Sequence, residues 1–272
     1  SEQFITKSLR ALECIVDVQG AGDKKQYVII VPTFRSTKDI RRVEDIVEEV
    51  GRLYGYGNIS EKLPSKITTS ADFSQVRKII AFKQQLAFGA GMREVENYAV
   101  YDIDFLKKIN WKVEQGVTLA NSLSEQRTVL VTSLIPHLLQ NVADNMANHE
   151  QLRFFEWARI WSLSGKSIQE TSTLSGLFYH KKQVDFYEAK QHLINLFELL
   201  KMPVEWKIAK KASNWSSRFQ TAYLFVGAAT IGVAGMVSRR ITSRLGGGQM
   251  FAFALNGEEL LAWNALQQKC IS

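Results

Sequence analysis

Past residue 150 strand-like runs follow one another with only one long helix between them, and this order restricts the fold more than any other feature. Leu152–Leu163 (LRFFEWARIWSL) and Thr173–His180 read as strands. A helix over Asp185–Leu200 follows, opened by Asp185 with Glu188 in a capping-box spacing. Val204–Ile208, Ala222–Val226, Thr230–Met236 and Met250–Leu255 then read as four more strands. Parallel strands need a crossover between them, so a doubly wound sheet alternates strand and helix. Consecutive strands mixed with long helices instead predict an α+β architecture with an antiparallel sheet.

Upstream, the spacing predicts a helix from Ser70, as cap, through Phe88, stopped by Gly89-Ala90-Gly91. Its apolar stripe is Val76, Ile79, Ile80, Leu86 and Ala87, with Phe82 widening one flank and Phe88 pointing away. Met92–Tyr101 and Val117–Ala120 read as strands. A second helix is expected over Ser133–Asn148, with Pro136 tolerated in the first turn.

The first sixty residues read as a separate small unit. A helix over Ser1–Cys14 precedes two strands, Ile15–Val18 and Tyr27–Val31, around the turn GAGDKK. A helix over Asp45–Tyr54 carries Ile46, Val47, Val50, Leu53 and Tyr54 on one stripe and ends at Gly55 and Gly57. Ser60–Thr69 (SEKLPSKITT) is polar, contains Pro64 and reads as a linker. Two domains are therefore expected, 1–63 and 64–272. The chain starts inside a helix without an initiator Met, which predicts a piece of a longer protein.

Composition adds limits. The apolar fraction of 46% and charged fraction of 22% are those of a soluble globular protein, and no apolar run reaches membrane-span length. Cys14 and Cys270, at opposite ends, make no disulfide framework and suit a reducing compartment. A net charge of +7 is compatible with a nucleic-acid partner without requiring one.

One stretch concentrates acids. On the 45–54 helix Asp45, Glu48 and Glu49 face away from the apolar stripe, and Asp39 lies just upstream, so the first turn is expected to gather carboxylates that suit Mg²⁺. The plain alternative is an acidic first turn complementing the helix dipole, with Glu48 and Arg52 as an i,i+4 pair. Residue physics alone favours the plain alternative.

VPTFRSTKDI (31–40) followed by EDIVEEVGRLYGYGNI (44–59) resembles the bacterial phenylalanyl-tRNA synthetase beta subunit. The likeness continues through REVENYAV (93–100), LANSLSEQRTVLVTSLIPHLL (119–139), FFEWARIW (154–161) and VDFYEAKQHLINLFELL (184–200). Thr37, Ser122 and Val131 depart from the residues usual in that family. The resemblance implies a class II synthetase-like antiparallel sheet flanked by helices, preceded by part of a small winged-helix-like domain. It implies Mg²⁺ held by Asp39, Asp45, Glu48 and Glu49 and shared with an alpha subunit. It further implies a cytoplasmic heterotetramer of two alpha and two beta chains that charges tRNA with phenylalanine using ATP, with no membrane partner. The 70–88 helix resembles the one through which class II cores pair, so Phe82 and Phe88 are expected at the alpha interface, the alternative being that neighbouring strands of the same chain cover both.

The catalytic constellations are missing from the sequence. ATP binding in class II enzymes takes an Arg-x-Glu on a strand, but Arg153 and Glu156 are three apart and face opposite sides. Gly246-Gly247-Gly248 lacks a following arginine and reads as a turn between strands. Ser164–Ser167 (SGKS) lacks the first glycine of a P-loop. His137, His149, His180 and His192 form no ligand cluster and are expected at the surface or as caps. Lys181-Lys182, Lys210-Lys211 and Arg239-Arg240 with Arg244 are candidate phosphate contacts, with Trp206 and Trp215 near the second pair. The competing function is a free-standing nucleic-acid-binding module built on the first sixty residues.

Overall fold

A computed structural model describes residues 1–22, 25–62, 71–122, 124–209 and 213–263. The chain forms two compact units, Ser1–Ser70 and Ala71–Ser272. The expected 63/64 boundary, Pro64 and the Ser70 cap lie within 63–70, outside the described residues, as do Lys210, Lys211 and Cys270.

In the first unit α1 (Glu2–Ala11) leads into the antiparallel hairpin β1 (Ile15–Gln19) and β2 (Gln26–Ile30). A four-residue α2 (Thr33–Ser36) and then α3 (Val43–Tyr54) follow. The core is small, as expected for so short a segment. Leu9, Cys14 and Val16 are buried, with Ile5, Leu12, Tyr27, Ile46 and Val50 packed on them. Burial pushes the Cys14 thiol pKa up. The α3 stripe is split: Ile46 and Val50 face this core, whereas Val47, Leu53 and Tyr54 are exposed. Gly55, at φ +88°, ends the helix in a conformation that only glycine adopts freely.

The second unit is built on a seven-stranded sheet in the order β3-β4-β5-β9-β8-β7-β6. These are β3 (Arg93–Glu94), β4 (Gln151–Ser164), β5 (Ser167–His180), β6 (Val204–Ile208), β7 (Ser216–Val226), β8 (Ala229–Val237) and β9 (Gln249–Asn256). Only β3 runs parallel to its neighbour; every other pair is antiparallel. The predicted α+β class is the one observed. Among the described residues six helices flank the sheet: α4 (Ser74–Gln84, prolonged by a wide turn over Gln85–Gly89), α5 (Ile103–Ile109), α6 (Ile135–Asn145), α7 (Phe186–Leu199), α8 (Arg239–Leu245) and α9 (Gly257–Ala262).

Alternation of side chains along each strand sorts the core into two layers. Phe155, Phe178, Phe251, Phe253 and Leu255 pack with Phe82 and Leu86 of the α4 segment, Leu193 and Phe197 of α7, and Leu260 of α9. Phe154, Leu177, Tyr179, Met250 and Ala252 pack on the other side with Leu138, Leu139 and Val142 of α6 and Ile241 of α8. Central β9 is therefore buried on both faces, which is why MFAFAL shows no polar alternation. A Cβ on Gly176 would collide with the Phe253 ring and approach Met92, so glycine is what lets Phe253 lie across β5.

Several expectations are corrected. Met92–Tyr101 is not a strand beyond Arg93–Glu94: Glu156 captures the Asn97 N–H with its side chain (2.8 Å) and the chain leaves the sheet. Val117–Ala120 makes only an isolated bridge, Thr118 to Val129. α5, α8 and α9, each seven residues or shorter, are too short for helical periodicity to reveal. Asp185 caps α7 through the N–H groups of Tyr187 and Glu188, but Glu188 turns to Arg153 and leaves the capping box half made. Phe82 is 1% exposed, edge-on to Trp157 with centroids 5.4 Å apart, and belongs to the core rather than to an interface. The exposed apolar side of this segment is instead Phe73, Val76, Ile80 and Phe88. No helix among the described residues is long and apolar enough to cross a membrane.

Candidate functional site

The acidic stretch folds around one arginine. Arg35, on α2, donates from Nε to Asp39 (2.6 Å) and from Nη2 to Glu49 on α3 (2.7 Å). Arg52 donates to the other Glu49 oxygen at 2.5 Å. Both arginines hold the Glu49 carboxyl below its ordinary range, and the two carboxylates raise the pKa of Arg35. Glu49 is the buried acid of the set, so its second oxygen needs a donor, and Arg52 serves it rather than the exposed Glu48. Asp45 is turned back along the chain, accepting the backbone N–H of Arg41 (2.7 Å) and Arg42 (2.8 Å), which lower its pKa. That contact closes the entry of α3 in the manner of a capping box.

Asp39, Asp45, Glu48 and Glu49 therefore lie within one short segment but do not converge. Among the described residues no three His, Cys, Asp or Glu side chains come close enough to hold a metal. The oxygen chemistry suits a hard cation, but the Arg35 guanidinium fills the position between Asp39 and Glu49. As arranged, the four do not fit Mg²⁺ in this chain alone. The i,i+4 spacing of Arg35 and Asp39 was the sequence signal for that guanidinium.

In the second unit Arg153 and Glu156 face opposite sides of β4, as their spacing required. Arg153 binds the Ala90 carbonyl (2.9 Å) and Glu188 (2.8 Å) and lies 3.2 Å from His192 Nε2. Glu156 is buried on the other face, where both its oxygens accept from Asn97, and desolvation raises its pKa. Neither is free to address a nucleotide. Ser164 and Ser167 pair across the β4–β5 hairpin, so SGKS is a turn. Gly246–Gly248 all have positive φ and connect α8 to β9, a helix-to-strand turn rather than one between strands.

His149 is exposed as expected, whereas His137 and His192 are more buried than expected. His137 is 5% exposed, with Nε2 3.2 Å from the Val100 carbonyl, and burial lowers its pKa. His192 stacks on Phe178 with centroids 5.6 Å apart. His180 does act as a cap, its Nδ1 accepting from Lys182 and Gln183 N–H. Helix and strand packing, which periodicity does not locate, accounts for His137 and His192.

The structure also sorts the basic groups. Arg240 binds the Asn214 carbonyl (2.7 Å) and Arg244 the Lys108 carbonyl (3.3 Å), so both tie elements together. Trp215 is buried, and Trp206 lies under Lys190, whose Nζ is 5.0 Å from the ring centroid. Lys181, Lys182 and Arg239 instead line one cleft of about 1100 Å³ with Arg218, which sequence reading missed. The signal for Arg218 was the polar-aromatic run SSRFQ at the start of a strand.

Comparison with known proteins agrees with the resemblance. Residues 59–256 match the family described as the phenylalanyl tRNA synthetase beta chain CLM domain, and residues 1–56 match the tRNA synthetase B5 domain. The phenylalanine–tRNA ligase beta subunit of Geobacillus kaustophilus is 30% identical over 254 residues, covering 88% of this chain and 31% of that protein. That of Thermotoga maritima is 28% identical over 243 residues, covering 86% and 30%. The chloroplastic subunit of Phaeodactylum tricornutum is 29% identical over 259 residues, covering 88% and 35%. The chain thus spans about a third of the length of these relatives. Giardia lamblia prolyl-tRNA synthetase in complex with prolyl-adenylate superposes with a TM-score of 0.58 at 10% identity, over 70% of this chain and 45% of that one. This likeness carries the fold alone, the class II synthetase-like sheet expected from the sequence.

Proposed function

The chain belongs to the phenylalanyl-tRNA synthetase beta-chain family, and from that premise we propose that it is a non-catalytic scaffold within a cytoplasmic phenylalanine–tRNA ligase. In this reading it binds the catalytic alpha subunit in a heterotetramer of two alpha and two beta chains and helps position tRNA. The observation that carries the scaffold role is the occupation of Arg153 and Glu156, on opposite faces of β4, by partners of their own chain. ATP chemistry then belongs to the alpha subunit. The free-standing nucleic-acid-binding reading has weaker support, because the family likeness covers both units.

The alpha-facing surface is the exposed apolar side of the α4 segment. Val76 and Ile80 are 49% and 47% exposed, and Phe88 is 86% exposed. Obligate interfaces bury such side chains over roughly 2,000 Å² or more. This surface replaces Phe82 as the proposed anchor.

Asp39, Asp45, Glu48 and Glu49 are proposed as Mg²⁺ donors only in the assembled enzyme, once Arg35 has left the space between Asp39 and Glu49. Mg²⁺ keeps several waters and is rarely held by protein alone. Calorimetric titration of Mg²⁺ is therefore expected to show no saturable site in the chain by itself and one in the complex with alpha. Replacing the four carboxylates by their amides should abolish that site. Equal binding by the wild-type and amide-substituted complexes would remove these residues from the metal.

A further inference from the structure

We propose that the cleft between the β5–α7 turn, the start of β7 and the β8–α8 turn binds an unpaired stretch of RNA. Lys181, Lys182, Arg218 and Arg239 line it, all four exposed, and none forms an ion pair with a carboxylate among the described residues. Among the described residues the only carboxylate on the lining is Asp185, one oxygen of which accepts from the first turn of α7. With four cationic side chains against this one carboxylate, the cleft is a net positive groove. In the same unit Arg153, Arg240 and Arg244 are instead spent on the fold.

Charge alone would equally suit an acidic peptide. The aromatic residues favour RNA. Tyr187 is 78% exposed and Phe219 85% exposed on the same lining, and the Arg218 guanidinium carbon lies 5.6 Å from the centre of the Phe219 ring. Large rings left in water beside unpaired cations offer faces on which bases stack while the cations meet phosphates. A duplex keeps its bases stacked internally and cannot use them. The glycine turn leaves the approach open: Gly247 has φ +100°, and a Cβ there would meet nothing within 4 Å. The buried Ser238 hydroxyl on this lining has no hydrogen-bond partner among the described residues. The volume of about 1100 Å³ leaves room for more than one nucleotide.

This deepens the tRNA part of the proposed function, and it rests on that reading only for which RNA is bound. The test is fluorescence anisotropy of the 272-residue chain with a labelled twelve-nucleotide single-stranded RNA over a salt series. The same RNA as a duplex and a polyglutamate peptide serve as competitors. The slope of log affinity against log salt is expected to approach roughly −3, at about −0.7 per phosphate contacted. Lys182→Ala with Arg239→Ala should flatten it by about half. Tyr187→Ala with Phe219→Ala should weaken single-strand binding about tenfold or more while leaving the slope unchanged. All four side chains are exposed, and thermal melts check that the variants remain folded. RNA binding that survives loss of all four cations overturns the site. So does polyglutamate binding as tight as RNA and indifferent to the aromatic pair, which would assign the cleft to an acidic peptide. Assembly with alpha, measured on the same preparations, separates the two readings. If the variants lose RNA as expected but the wild type fails to bind alpha, the cleft stands and the scaffold role falls.

Discussion

Phe82→Ala is expected to lower the stability of the 71–272 unit by about 3–5 kcal/mol, the usual cost of deleting a fully buried aromatic ring. The ring is 1% exposed and contacts Trp157 edge-on, inside the layer that also holds Leu86, Phe155, Phe251 and Phe253. The vacated space is bounded by β4 and α4, both fixed by hydrogen-bonded neighbours, so it cannot collapse fully. All six tryptophans lie in this unit, so denaturant unfolding followed by tryptophan fluorescence reports on it selectively. The midpoint should fall at an unchanged slope. A loss below about 1 kcal/mol would return Phe82 to the surface, where exposed substitutions cost little.

Tyr101→Phe is expected to cost about 3 kcal/mol although it removes one oxygen and leaves the ring. The hydroxyl accepts the backbone N–H of Thr132 (2.9 Å) and Ser133 (2.8 Å) and sits 3.0 Å from the Ser133 carbonyl. Tyr101 is fully buried, and desolvation raises its pKa, so the hydroxyl keeps its proton and can both donate and accept. Without the oxygen, the N–H groups of half-buried Thr132 and Ser133, ahead of α6, both lose their acceptor. An unsatisfied buried donor costs about 1–3 kcal/mol each. The same fluorescence measurement applies. A change under about 0.5 kcal/mol would mean that water or a shifted carbonyl replaces the hydroxyl.

These two residues also mark what the sequence carries. Tyr101 falls at the end of a run that alternates like a strand, but alternation records only that side chains point two ways. It does not say that one partner strand runs its whole length: past Val95 the Glu156 side chain takes the Asn97 N–H, and Val100 makes only an isolated bridge to Leu130. Phe82 lies beside a stripe that helical spacing identifies correctly as apolar. Two adjoining faces of α4 are apolar, however, and the sheet took the one with Phe82 and Leu86, leaving Val76 and Ile80 outside. Long, strongly patterned elements such as β4, β9 and α7 were legible because their patterns run over many residues. The short α5 and α8 were not, although Asp102 caps α5 with a contact that its sequence allowed.

The acidic site was legible in part. Residue types and the family likeness located Asp39, Asp45, Glu48 and Glu49. Their partners were not legible, because Arg35 reaches Glu49 across fourteen residues through the placement of α2. The cleft shows the same limit. Its cations come from segments near residues 181, 218 and 239, and only the sheet order brings them together.

The scaffold role is tested most directly by light scattering on the chain mixed with the phenylalanyl-tRNA synthetase alpha chain of the same organism. A single species containing both chains is expected. Val76→Asp with Ile80→Asp should dissociate it while leaving the tryptophan-detected stability nearly unchanged, because exposed substitutions cost little. Wild-type chains that elute separately, or a complex indifferent to both aspartates, would contradict the assignment of this surface to the alpha subunit.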